Sequence, residues 1–141
     1  MSLGQNDVQL SQAGGATFIV DSITDPNGNP ATVLDVDMGF EVSGTVSLPC
    51  FLSGKATVTL YADELGGKFD GPIGSTQVDI TGCGVEPISS KVYQWTVKYD
   101  GKSLPDPSPS SQLYHLAAVF VFGDQALDIG TFVDLGMFLI N

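Results

Sequence analysis

Two cysteines, one histidine and a scatter of carboxylates are the side chains in this sequence best suited to chemistry. Cys50 follows Pro49, and Cys83 stands between Gly82 and Gly84. If their strand ends meet, they form a disulfide. Closing a loop of roughly 33 residues would add about 3 to 4 kcal/mol on the chain-entropy account, and the bond needs an oxidising compartment. The alternative is two reduced thiols in loops. Two cysteines and one histidine at these separations make neither a redox CxxC pair nor a zinc set. His115, the single histidine, would have to serve as base to any Cys or Ser nucleophile and be oriented by a third group. Its apolar strand context points instead to an ordinary hydrogen-bonding role. Neither a nucleophile elbow nor a phosphate-binding glycine loop occurs, so no catalytic constellation is found and the chain reads as a non-enzyme.

Among the carboxylates, Asp35 and Asp37 share a strand face, Asp63, Glu64 and Asp70 bracket a Gly-rich hairpin, and Asp124 and Asp128 flank another turn. Acids scattered over turns do not imply the paired carboxyls of a hydrolase. Calcium is the cofactor that such loops could hold, with Asp25, Asn27 and Asn29 placing oxygens at alternate positions, although an EF-hand's closing Glu is missing. The commoner role of such residues is to cap turns. Tyr93, Trp95, Val97 and Tyr99 fall on one face of a strand. Exposed, they would make a stacking platform for a carbohydrate; more often such a stripe is core, because aromatic rings bury large areas.

The elements that must position these groups are strands. Runs rich in Val, Ile, Phe, Thr and Tyr alternate with Gly, Pro, Asn and Asp clusters, and no amphipathic helix of three turns is found. About seven strands are expected, over Ala16 to Ile23, Met38 to Leu48, Lys55 to Asp63, Ser75 to Thr81, Lys91 to Tyr99, Leu113 to Phe122 and Thr131 to Ile140. The second is the clearest: Phe40, Val42, Val46 and Leu48 share one parity, and Glu41, Ser43, Thr45 and Ser47 the other. Residues 1–15 read as a polar tail or loose first strand, and 16–141 as one all-β domain, a two-sheet antiparallel β-sandwich with a jelly roll or small barrel as the alternative.

Within that class, Ser111-Gln112-Leu113-Tyr114-His115-Leu116 resembles the tyrosine corner of immunoglobulin-like and fibronectin type III-like sandwiches. The resemblance is architectural and names no specific family. It implies that the Tyr114 hydroxyl bonds backbone a few residues upstream. Trp95 lies on the fifth expected strand, and the cysteines miss the middles of the second and sixth, so the antibody-type pattern is not met.

The chain of 141 residues carries 16 acids against five basic residues, a formal charge of -11, with 43% hydrophobic residues. A coat of that sign repels phosphates, which disfavours nucleic acid and anionic membrane surfaces. The longest apolar run, Leu116 to Phe122, is far short of the roughly 20 residues of a spanning helix. The opening Met1 to Asp7 has neither the basic start nor the apolar core of a secretory signal, and nothing names a compartment.

The last two strands differ from the rest because both their faces look apolar. Ala117, Val119 and Val121 oppose the core side of the sixth, and Phe132, Phe138 and Ile140 oppose Val133, Leu135, Met137 and Leu139 on the seventh. A two-layer sandwich dries only one face of each sheet, so these six residues are the expected interface of an interaction or assembly module that self-associates, most simply as a dimer. The alternative is a small-ligand module, binding calcium in the acidic loops or carbohydrate on aromatic residues.

Overall fold

A computed structural model describes residues 9–13, 15–29, 33–34, 39–83, 90–101, 112–123 and 128–140. Nine strands occur among them: β1 (Gln9–Ala13), β2 (Ala16–Thr24), β3 (Val33–Leu34), β4 (Phe40–Pro49), β5 (Gly54–Glu64), β6 (Asp70–Ile80), β7 (Ser90–Tyr99), β8 (Gln112–Gly123) and β9 (Asp128–Ile140). They form a four-stranded sheet in the order β1-β2-β4-β7 and a five-stranded sheet in the order β3-β9-β8-β5-β6. Every pairing is antiparallel except the two-residue β3, which runs parallel to β9. The described residues form an all-β sandwich of two sheets, and neither sheet closes into a barrel.

All seven expected strands are present, and the additions have physical reasons. The polar Gln9–Ala13 segment carries no alternation, yet its backbone pairs with β2 from Gln9↔Val20 to Ala13↔Ala16. At the start of β6, Asp70, Gly71 and Pro72 read as turn residues, but they pair with Asp63, Ala62 and Tyr61. β6 is an edge strand, where a proline costs no ladder bond if its nitrogen faces outward.

The core lies between the sheets. β4 alternates without a break, with Phe40, Val42, Val46 and Leu48 buried and its odd-numbered residues half-buried. This is the period-two pattern required when one sheet face packs and the other meets water. Phe18 of the four-stranded sheet stacks on Trp95 of its own layer, ring centroids 5.1 Å apart, and on Phe120 of the other layer at 5.6 Å. That triad ties the layers together. No polar or charged residue is buried among those described.

Tyr114 departs from the tyrosine-corner expectation. Its ring is buried at the start of β8, but its hydroxyl donates to Oε2 of Glu64 at 3.1 Å, a side chain at the end of β5 and not nearby upstream backbone. Glu64 in turn accepts from the Lys68 and Phe69 N–H groups, so the tyrosine is tied into the β5–β6 hairpin.

Candidate functional site

The outer face of the five-stranded sheet brings the sequence-selected residues together, after one correction. Leu116 pairs with Gly136 but its neighbour Ala117 pairs with Asp134, so Leu135 is an extra residue on β9 and forms a bulge. Gly136 follows at φ +88°, a conformation that glycine adopts without strain. A one-residue insertion exchanges the two faces beyond it. Ile129 and Val133 point inward before the bulge and Phe138 points inward after it, while Leu139 turns outward. Phe138, expected at the interface, is therefore a core residue with 1% of its surface exposed. The Ile140 side chain lies outside the described residues.

The remaining four do share the outer face. Thr59, Val119 and Phe132 form one row across β5, β8 and β9, and Tyr61, Ala117 and Asp134 form the next. Phe132 is 61% exposed, Val121 50% and Tyr61 39%, while Ala117 and Val119 are half-buried between them. Strand and residue spacings put the Cα atoms of Tyr61 and Phe132 roughly 12 Å apart on the diagonal. The result is an apolar strip with an aromatic residue on each side and Thr57 and Thr59 along its border. Tyr61 was legible as an outward residue, but its position beside Ala117 depends on a ladder that pairs residues over 50 positions apart.

A polar row bounds the strip. His115 Nε2 lies 2.5 Å from Asp134 Oδ1, which also accepts from the Gly136 N–H at 2.8 Å. Burial alone would raise the Asp134 carboxyl, but the bonds from His115 and Gly136 outweigh it and hold it below the usual carboxylate value. Asp63 and Met137 flank His115 in its own row, so the polar border is Asp63 and His115, with Asp134 reaching His115 from the row before. Beyond it the outer face becomes apolar again at Leu113 and Leu139.

Other sequence candidates are placed elsewhere. Tyr93, Trp95, Val97 and Tyr99 are buried in the core, so that stripe presents no platform. Cys50 and Cys83 are joined in a disulfide, with Cα atoms 5.0 Å apart, and Cys83 N–H donates to the Cys50 carbonyl. Asp25 Oδ1 accepts from the Asn27 and Asn29 N–H groups, which closes the Asp25–Asn29 loop on itself. Among the described residues no three His, Cys, Asp or Glu side chains gather as a metal set. Asp35, Asp37, Asp124 and the Asp128 side chain lie outside the described residues.

No family model matches the chain, and no curated protein matches it by sequence. Among solved structures, the crystal structure of the C-terminal domain of Wzt matches all of this chain and 82% of its own length, with a TM-score of 0.53 at 13% identity. At that identity the likeness is one of fold: the chain shares a β-sandwich architecture with the C-terminal domain of Wzt.

Proposed function

We propose that this protein is a non-enzymatic binding module that takes a neutral carbohydrate on the outer face of the five-stranded sheet. The observation that carries the reading is the pair of exposed aromatic residues, Tyr61 and Phe132, on either side of Ala117 and Val119. Aromatic rings offer apolar faces to the C–H faces of sugar rings, while Thr57, Thr59, Asp63, His115 and Asp134 supply hydrogen-bonding groups at the border. The net charge of -11 selects against acidic polysaccharides and leaves neutral ones unopposed.

The same face would serve a symmetric dimer, the reading favoured by Phe132 and Val121 being so exposed. Size weighs against it. With Phe138 turned inward, the central strip spans three strands and three residue rows, about 300 Å² from standard spacings. A stable interface buries ~800 Å² per partner. The strip is nearer the footprint of a short oligosaccharide, and the Asp63–His115 pair, bonded to Asp134, stands between it and Leu113.

Electrophoresis through gels containing neutral polysaccharides tests the proposal, with sedimentation of the free protein alongside. The expected result is retardation by at least one neutral polysaccharide, lost in Tyr61→Ala/Phe132→Ala, from a protein that sediments as a monomer. Unretarded migration in every neutral gel, with a dimer that the double variant dissociates, would overturn it in favour of self-association.

A further inference from the structure

The opposite face of the sandwich carries a different kind of recess. On the outside of the four-stranded sheet, Asp21, Ser22, Ser43, Thr45, Gln94 and Thr96 border a solvent-open recess of about 230 Å³ whose lining also includes Gly44 and Trp95. The ladder explains the ring: Ser43 pairs with Thr96, Thr45 with Gln94, and Ser22 with Ser43. All six encircling side chains carry oxygen or nitrogen, and Ser43 and Thr96 already lie within hydrogen-bond reach of one another at 3.4 Å.

A flat sheet surface does not ordinarily hold such a recess, and two local features account for it. The register slips between Val20 and Ser22, so Asp21 is an extra residue on β2, and bulges of this kind re-aim side chains. At Gly44 the strands press together: a Cβ there would stand 1.9 Å from the Ile19 carbonyl oxygen and 2.7 Å from Cζ2 of Trp95. The Trp95 ring lies beneath this point on the core side, stacked on Phe18, and its Nε1 is the one buried side-chain nitrogen or oxygen among the described residues with no hydrogen-bond partner. Trp95 is 4% exposed.

The chemistry of the ring selects the ligand class. No lysine lines it, so an anion finds no counter-charge, and one carboxylate is too few for a hard cation that needs six or more oxygens. Four hydroxyls, an amide and a carboxylate together donate to and accept from vicinal hydroxyl groups. The volume corresponds to about eight waters at ~30 Å³ each, the scale of a single sugar ring with its hydroxyls. We propose that the Asp21–Ser43–Gln94 recess is a second binding site, for one ring of a neutral polyol of the pyranose type. It is independent of the aromatic strip on the other sheet.

Amide chemical-shift titration of the isotope-labelled full chain tests this, using methyl α-glucopyranoside, methyl α-mannopyranoside and methyl β-galactopyranoside as probes, with inorganic phosphate as the charged control. The expected result is a saturable shift with at least one glycoside at tens of millimolar, confined to residues 19–24, 42–46 and 93–97 and the Trp95 indole N–H. Asp21→Ala/Gln94→Ala should weaken that binding about tenfold or more while leaving distant amides unmoved, which shows that the variant is folded. Tyr61→Ala/Phe132→Ala should leave it unchanged, so the two sites fail or stand separately. No saturable shift from any glycoside, shifts confined to the Tyr61 face, or an equal response to phosphate would each overturn the second site.

Discussion

Tyr114 and Glu64 stand 50 positions apart in the chain and are joined by a 3.1 Å hydrogen bond from the phenol to the carboxylate. Glu64 also receives two N–H bonds from the β5–β6 turn and its own N–H donates to the Phe69 carbonyl, so one acidic side chain links that hairpin to the start of β8. Tyr114→Phe should cost ~0.5 to 1.5 kcal/mol, a melting-point loss of a few degrees. Burial, followed by the bond to Glu64 and the charge of Glu64, pushes the phenol up from its ordinary value. A group raised in this way contributes stability that is present below the unfolded value near 10 and lost as pH rises through the folded one. Alkaline unfolding curves should show that loss in the natural sequence and lack it in the phenylalanine variant.

The bulge at Leu135 is the device that hides Phe138 and exposes Phe132. Alanine at position 136 must adopt φ +88° or shift the ladder, so Gly136→Ala should destabilise by ~1 to 2 kcal/mol. Dye binding is the sharper measurement. A shifted register carries apolar side chains to the outer face and should raise fluorescence of an apolar probe, whereas simple strain would lower the melting point alone.

Removing the disulfide tests the tie at one end of the sandwich. Cys50→Ser/Cys83→Ser should lose about 3 to 4 kcal/mol, the chain-entropy value for a closed loop of 33 residues. Chemical denaturation of the oxidised protein should show that difference, and the natural sequence under reductant should move toward the double variant.

Asp134 predicts an acid-range effect of opposite sign to that of Tyr114. Its carboxyl is lowered in the folded state, so its stabilisation is present above the unfolded value near 3.8 and is lost as pH falls through the folded one. The pair is substantially exposed, and such pairs contribute ~0 to 1 kcal/mol. Asp134→Asn should therefore be slightly less stable at neutral pH and equal to the natural sequence at the acid end, as read from urea midpoints across that window.

The aromatic strip is predicted to matter for ligand more than for stability. Phe132→Ala removes a largely solvent-facing ring, so its midpoint should stay within ~0.5 kcal/mol, and Tyr61→Ala, whose ring is about two-fifths exposed, should cost about 1 kcal/mol, while polysaccharide retardation falls in both. A large stability loss in either variant would mark the ring as structural.

The sandwich class was legible because alternation is written residue by residue. Phe40 to Leu48 states which face is dry, and the structure has that face in the core. The outward-facing Ala117, Val119, Val121 and Phe132 were legible for the same reason, as apolar side chains on a parity the core does not need. Phe138 was not, because periodicity counts residues evenly and a bulge inserts one that only the partner strand reveals. The partner of Tyr114 was hidden for a related reason, since a side-chain acceptor 50 residues away leaves no local pattern.

By itself, then, the sequence determined an acidic, strand-built chain with two cysteines free to meet and an outer face with apolar side chains left over. Those properties follow from composition and period, which act over a few residues. Tertiary structure alone decided that Tyr61 lies diagonally across from Phe132, that Asp21 joins Gln94 around one recess, and that Leu135 bulges and turns Phe138 inward. Each depends on which strands pair and in what register, and that is settled by the packing of the whole sheet.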